Sequence, residues 1–159
     1  MKVGITGHQD LKNDRTIAWL KKIIIEQLEI RQPSAIYSSL AIGADQLFAK
    51  LALKLKIPLS VIIPCQHYEK TFDNENLKTF KQLLTQASGI VELNYPEPSE
   101  EAFYTAGKAI VEASDILFAV WDGQKAKGLG GTGDIVAHAR ALQKPILHLN
   151  LIKKSLRQF

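Results

Sequence analysis

The stretch GLGGTGDIVAHAR (128–140) contains the residues of this chain that are best suited to bind an anion. Gly130 and Gly131 have no side chains, so a ligand can approach their backbone closely. Their N–H groups come just before a predicted helix, whose start carries partial positive charge, and Thr132 adds a hydroxyl donor. The pattern predicts a phosphate-binding turn with Gly131 at positive φ. The alternative is a flexible loop with helix-capping glycines.

Although Gly128, Gly130 and Gly133 match the spacing GxGxxG, we do not expect a dinucleotide-binding turn here. Such a turn follows the first strand of its fold, and an acidic residue ends the next strand about 20 residues later. In this chain the pattern follows the fifth predicted strand, and no acid ends the strand after it. A P-loop is also excluded, because Leu129 stands where that motif requires lysine.

Other polar or small residues follow the predicted strands, at the ends where an open α/β sheet binds its ligands. They are Thr6, Gly7 and His8 after the first strand, Ser39, Gly43, Ala44 and Asp45 after the second, and Asp122 after the fifth. His8 could donate to a phosphate or stack on a base, and the two acids could accept from ligand hydroxyls. Each also has a structural alternative as a turn or helix-capping residue.

The remaining residues of chemical interest give weaker signals. Cys65 follows the third predicted strand and is interpreted as a small buried apolar group. His67, His138 and His148 have no second ligand at metal-binding spacing, so no metal site is predicted. The pattern identifies no catalytic residue and no cofactor.

Alternating strands and helices must position these residues. The predicted strands are 2–6, 35–39, 59–64, 89–93, 116–121 and 145–149, and most are apolar on both faces, as in a covered parallel sheet. Five helices lie between them; Asn13 or Asp14 caps the first, and the last starts at Thr132 or Gly133. The pattern predicts a three-layer α/β/α sandwich with a mostly parallel sheet of about six strands, one domain over 1–150 and a loosely held tail over 151–159.

Four segments occur in an order that resembles the SLOG superfamily: GITGHQDL, AIGADQLFAKLAL, SDILFAVWDG and GLGGTGDIVAHAR. Its members include DprA/Smf, the lonely-guy phosphoribohydrolases and the molybdenum-cofactor carrier proteins. The resemblance implies a Rossmann-like fold that binds a nucleotide or a nucleotide-derived ligand at the carboxyl ends of the strands. Carried over by match, the binding residues are Thr6, Gly7, His8, Gly43, Ala44, Asp45, Asp122, Gly130, Gly131 and Thr132.

One departure from the superfamily separates two hypotheses about function. The phosphoribohydrolase branch has a turn of the form PGGxGTxxE, whose glutamate acts on the N-glycosidic bond. Here the turn reads LGGTGDIV, and no glutamate lies between Gly131 and Arg140. The sequence therefore favours a nucleotide-binding sensor or carrier. The alternative is a hydrolase of the N-glycosidic bond with Asp134 or Asp45 as acid–base group, and a third reading is a structural partner that only dimerises.

Composition narrows the range of partners. The 159 residues carry a net charge of +4, and the basic residues are dispersed, so a nucleic-acid partner is not expected. No apolar run reaches the length of about 20 residues that a membrane span needs, and the first residues turn polar too early for a signal peptide. We therefore expect a cytoplasmic protein. Trp19, Ile23 and Ile30 fall outside the apolar stripe of the first helix and, with the resemblance, predict a homodimer.

Overall fold

Strands that are apolar on both faces form the centre of this fold. The computed structural model describes residues 1–159 and contains one sheet between two layers of helices. The strands are β1 (Lys2–Gly7), β2 (Ala35–Ser38), β3 (Leu59–Ile63), β4 (Gly89–Glu92), β5 (Ile116–Trp121), β6 (Ile146–Asn150) and β7 (Ser155–Gln158). The helices are α1 (Asp14–Arg31), α2 (Ala44–Lys54), α3 (Asn74–Thr85), α4 (Glu100–Ala113) and α5 (Thr132–Ala141), with a 3-10 turn at Tyr68–Thr71. The predicted three-layer sandwich is confirmed.

The order of the strands places a reversal of chain direction in the middle of the sheet. The order is β4-β3-β2-β1-β5-β6-β7, and every pair is parallel except β6 and β7. The chain builds outward from β1 to β4, then returns through α4 to β5 on the other side of β1. The carboxyl ends of β1 and β5 therefore form the topological switch point, where sheets of this kind bind ligands.

The two helix layers bury separate sets of side chains against the sheet. On one face, α1 and α2 contribute residues such as Leu20, Ile24 and Phe48, and Phe48 meets Phe118 edge-to-face with ring centroids 5.5 Å apart. On the other face, Ile135 of α5 packs against β5, which is buried at every position. Of the two predicted caps of α1, Asn13 is the one used, because its side chain accepts from Thr16 N at 2.9 Å.

The structure adds a seventh strand to the predicted sheet of about six, and this strand lies in the segment expected to be a loosely held tail. Residues Ser155–Gln158 form β7, which pairs antiparallel with β6. Ile146 and Phe159 exchange two backbone hydrogen bonds of 2.8 and 3.0 Å, and Arg31 Nη2 donates to Gln158 Oε1 at 2.9 Å. Backbone pairing holds this strand, while its four residues are all exposed. No apolar pattern therefore marks it in the sequence.

The helix residues expected to form an oligomer surface divide into two groups. Trp19 and Ile23 are half-buried and pack against the main core, whereas Ile30 is 73% exposed. The buried stripe of α1 is thus broader than the sequence pattern suggests, and only Ile30 of the three stays free for a partner. None of the helices has the length and hydropathy needed to cross a membrane.

Candidate functional site

A cleft of about 980 Å³ opens at the switch point between β1 and β5. Nine of the eleven residues that the sequence predicts as ligand contacts line it: Thr6, Gly7, His8, Ser39, Asp45, Asp122, Gly130, Gly131 and Thr132. They come from four separate segments of the chain. The parallel sheet brings these segments together because the carboxyl ends of its strands meet at one edge.

The other two predicted residues, Gly43 and Ala44, support the cleft without lining it. Ala44 N donates to His8 O at 3.1 Å and so ties the start of α2 to the loop after β1. Gly43 has φ of +88°, and a Cβ there would lie 2.6 Å from both Gln9 Cα and His8 O. The absence of a side chain at Gly43 lets the two loops touch.

His8 connects three of the segments around the cleft. Its Nε2 lies 3.2 Å from Asp122 N and 3.3 Å from Asp122 Oδ1, and its Nδ1 lies 3.4 Å from Thr132 Oγ1. Burial acts to raise the pKa of Asp122, but the Gln124 N–H and His8 outweigh it, and the pKa lies below its usual range. An ionised Asp122 repels a phosphate and accepts readily from hydroxyl groups.

The glycines of the loop between β5 and α5 serve its packing. A Cβ on Gly130, which has φ of +87°, would lie 3.0 Å from Tyr104 N in α4. A Cβ on Gly131 would lie 2.8 Å from Ala126 Cβ, and one on Gly133 would lie 2.7 Å from Ala126 N. The positive φ is at Gly130, whereas Gly131 has φ of −67°, so the expectation for Gly131 is wrong.

The packed loop presents unpaired donors to the cleft. Asp134 Oδ2 accepts from Gly130 N at 3.1 Å and closes the turn. The N–H groups of Gly131, Thr132 and Gly133 have no acceptor within the chain, as is usual for the first residues of a helix. All three residues line the cleft, whereas Asp134 does not. The start of α5 can therefore donate several hydrogen bonds to one anion.

Another part of the cleft lining has a different character, with a buried acid and a buried hydroxyl group. Asp45 is only 6% exposed, its Oδ2 accepts from Ala41 N at 3.3 Å, and no cation pairs with it. Burial raises its pKa to about 7, although the Ala41 and Ser39 N–H groups partly offset the effect. The Ser39 hydroxyl beside it is buried and has no hydrogen-bond partner.

Solved structures of other proteins have a similar fold. DprA from Streptococcus pneumoniae matches with a TM-score of 0.67 and 15% identity, over 92% of this chain and 49% of that protein. DprA from Helicobacter pylori, whose structure is described in terms of its single-stranded DNA binding mode, matches with a TM-score of 0.67 and 19% identity. The match covers 93% of this chain and 64% of that protein. The molybdenum cofactor carrier protein of Chlamydomonas reinhardtii matches with a TM-score of 0.59 and 14% identity. The match covers 94% of this chain and 76% of that protein.

The chain has the Rossmann-like fold of DprA and of the molybdenum cofactor carrier protein. The relationship in fold that the sequence motifs predict is confirmed. The chain spans about half of the first DprA and less than two thirds of the second. The sequence matches no protein-family model, and no curated protein is significantly similar to it. At these identities the likeness to DprA and the carrier protein is one of fold.

Several residues of the cleft lie outside the sequence motifs from which the site is predicted. Phe72, Phe103, Lys125 and Lys127 all line the cleft. The helical pattern assigns Phe103 to the core, and the two lysines look like ordinary surface charges. For Phe72 a signal exists, since HYEKTF (67–72) follows the end of β3, at the edge of the sheet where ligands bind.

Cys65 is fully buried at the end of β3, as the sequence predicts. Burial, followed by the charges of Glu92 and Glu69, raises the pKa of its thiol. A protonated, buried thiol is a poor nucleophile, so Cys65 acts as a packing residue. No group of three or more His, Cys, Asp or Glu side chains is arranged to hold a metal ion.

Proposed function

We propose that this chain binds a nucleotide, or a nucleotide-derived ligand that carries a phosphate, as a sensor or carrier. One observation carries the proposal: three unpaired N–H groups and the Thr132 hydroxyl meet at the start of α5, inside a cleft at the topological switch point. A helix start with free N–H groups stabilises a phosphate through its dipole and through direct hydrogen bonds.

Size and charge of the cleft support a small anionic ligand. Its volume of about 980 Å³ is near the upper end of the range found for small-molecule sites. Lys125 and Lys127 line it and form no ion pair within the chain, so both charges are available to an anion. Asp122 lies where it would accept from ribose hydroxyls and would repel a second phosphate. This mixture of charges suits a nucleotide better than a nucleic-acid strand.

The contacts around Asp134 weigh against hydrolysis of an N-glycosidic bond by that residue. Asp134 does not line the cleft, and its carboxylate already accepts from Gly130 N. Asp45 stays in the cleft as the one acid with a strongly raised pKa, which is a property of general acids. Incubation with nucleoside monophosphates is expected to release neither free base nor ribose phosphate. Release that Asp45→Asn abolishes would favour the hydrolase instead.

A phosphate-bearing nucleotide is expected to stabilise the protein against unfolding. At a concentration 100-fold above the dissociation constant, binding adds about 2.7 kcal/mol to the free energy of unfolding. Thr132→Val keeps the shape of the side chain and removes its hydroxyl, so the stabilisation should shrink. Differential scanning calorimetry with a panel of nucleotides measures both effects.

Thr85→Val is the control for that experiment. The Thr85 hydroxyl donates to Gln82 O at 2.7 Å in α3, outside the cleft. This variant should respond to ligand as the wild type does. If no nucleotide, nucleotide sugar or pterin phosphate raises the melting temperature of the wild type, the proposed function fails.

A homodimer stays a prediction, and α1 offers its test. Ile30 is 73% exposed at the end of this helix. Exposure of an apolar side chain to water does not stabilise the monomer, and exposed apolar patches commonly mark interfaces. Light scattering is expected to give twice the chain mass of 17.7 kDa, and Ile30→Glu is expected to return the mass to one chain. Because Ile30 contributes little to the core, that substitution should leave the fold intact. A wild-type mass of 17.7 kDa at micromolar concentration contradicts the prediction.

A further inference from the structure

One end of the cleft contains groups that the phosphate site does not use. We define this acidic–aromatic end by Ser39, Asp45, Tyr68, Phe72 and Phe103, all of which line the cleft. Tyr68 joins its parts, because its ring lies 5.1 Å from that of Phe72 and 6.2 Å from that of Phe103, centroid to centroid. Burial, and then the nearby Asp45 carboxyl, raises the pKa of Tyr68. Acid, hydroxyl and rings therefore form one continuous surface.

The polar groups of this end are incompletely satisfied. Asp45 accepts backbone N–H groups from the loop after β2 but has no cation beside it, so part of its acceptor capacity is free. Ser39 is 8% exposed, and its hydroxyl has no partner at all. Buried polar groups without partners cost stability, which makes them good indicators of a missing ligand.

The aromatic groups suit a flat ligand. Phe72 and Phe103 are half-buried, so part of each ring faces the cleft. Bases stack on such rings whatever their identity, because every base has a π face. The rings alone therefore select a planar group, and the choice among planar groups falls to Asp45 and Ser39.

We infer that the acidic–aromatic end binds a guanine-type base, with Asp45 accepting from the ring N–H and the exocyclic amino group, and with Ser39 donating to the adjacent carbonyl. This inference rests on the proposed function and names its ligand class. Guanine and pterin share this edge of carbonyl, ring N–H and amino group in a row. Adenine presents only one donor beside an acceptor, and hypoxanthine lacks the amino group. A carboxylate with two free acceptor positions matches the guanine-type edge best.

Calorimetric titration with GMP, IMP, AMP, ribose 5-phosphate and neopterin phosphate tests the inference. GMP or neopterin phosphate is expected to bind about tenfold or more tightly than IMP and AMP, because the other ligands leave a buried acceptor or donor unpaired. If GMP binds more tightly than neopterin phosphate, the ligand is a guanine nucleotide. If neopterin phosphate binds more tightly, the ligand is a pterin. Ribose 5-phosphate reports on the phosphate site alone.

Two neighbouring serines provide a matched pair of variants. Ser39→Ala removes the unpaired hydroxyl, so it should leave the melting temperature unchanged or higher and should lower the preference for GMP over AMP. Ser38→Ala removes a buried hydroxyl that already accepts from Leu40 N at 3.0 Å and does not line the cleft. It should lower the melting temperature and leave the preference intact. Asp45→Asn exchanges an acceptor for a donor. It should remove the preference for GMP over AMP without weakening the binding of ribose 5-phosphate.

The outcomes separate the two proposals. If nucleotides bind but AMP binds as tightly as both GMP and neopterin phosphate, the inference about the base is overturned and the proposed function stands. The same holds if Ser39→Ala and Asp45→Asn leave the preference unchanged. If none of the five compounds binds, the inference about the base fails, and the proposed function fails with it when the wider panel of nucleotides and nucleotide sugars also gives no stabilisation.

Discussion

Gly43→Ala is expected to lower the free energy of unfolding by on the order of 4 kcal/mol. We expect this to be the largest effect of any glycine-to-alanine substitution among the residues that support the cleft. Two causes add. The backbone at Gly43 has φ of +88°, which side-chain-bearing residues rarely adopt, and the new Cβ would lie 2.6 Å from Gln9 Cα and His8 O. These neighbours are backbone atoms, so neither can move without moving the loop after β1. Urea unfolding of the purified variant measures the loss.

Two other glycines separate these causes. Gly123 has the same φ of +88°, but a Cβ there would approach nothing closer than 3.8 Å, so Gly123→Ala reports strain of the backbone alone, roughly 1 kcal/mol. Gly89→Ala adds a methyl group with 3.6 Å of clearance and no positive φ, and should change stability little. A Gly43→Ala protein as stable as Gly123→Ala would show that the two loops do not need close contact.

Asp45→Asn is expected to become progressively more stable than the wild type as pH rises from about 4 to about 7. The folded chain holds the Asp45 proton up to a pKa of about 7, while the unfolded chain releases it near the usual value of 3.8. Between these values the folded state binds more protons, so rising pH favours unfolding. The cost is absent below about pH 4 and reaches on the order of 4 kcal/mol above pH 7. Asparagine cannot ionise and does not incur it.

Urea unfolding of the wild type and of Asp45→Asn, at several pH values between about 4 and 8, measures how the difference in their free energies of unfolding depends on pH. The asparagine side chain of the variant keeps a carbonyl that can accept from Ala41 N, so the loop contact survives. Two neighbouring groups, Tyr68 and Cys65, both have raised pKa values and stay neutral across this range. Stability curves that run parallel for the two proteins would contradict a buried, uncompensated carboxyl. A residue that costs stability at neutral pH is retained for function more often than for folding.

Most of the fold is predictable from the sequence because its strands are apolar on both faces. Residues 116–121 are all buried, and a run of that kind has few alternatives to a central parallel strand. By contrast, β7 is exposed at every residue and is held by backbone hydrogen bonds to β6. Backbone pairing leaves no trace in side-chain patterning, so this strand cannot be distinguished from a tail.

The site is predictable in position and less so in detail. Parallel strands end at one edge, so residues such as Thr6, Ser39 and Asp122 can be placed in one cleft from their order along the chain. The role of each glycine in the loop after β5 depends on which atoms a Cβ at that position would contact. These atoms belong to α4 and to Ala126, and only the packed structure brings them next to the glycines. The raised pKa of Asp45 likewise comes from burial, which only the packed structure reveals.

The most direct test of ligand binding in this cleft is a titration of isotope-labelled protein followed by backbone amide NMR. With a phosphate-bearing nucleotide, saturable shifts are expected at Gly131, Thr132 and Gly133, whose amides are the proposed phosphate donors, and at Gly7 and His8, which line the same cleft. The amide resonances of Gln158 and of the carboxyl end of α1, which lie at the amino ends of the parallel strands, should not shift. Saturable shifts at those amino ends, or no shifts at millimolar nucleotide, would contradict the account.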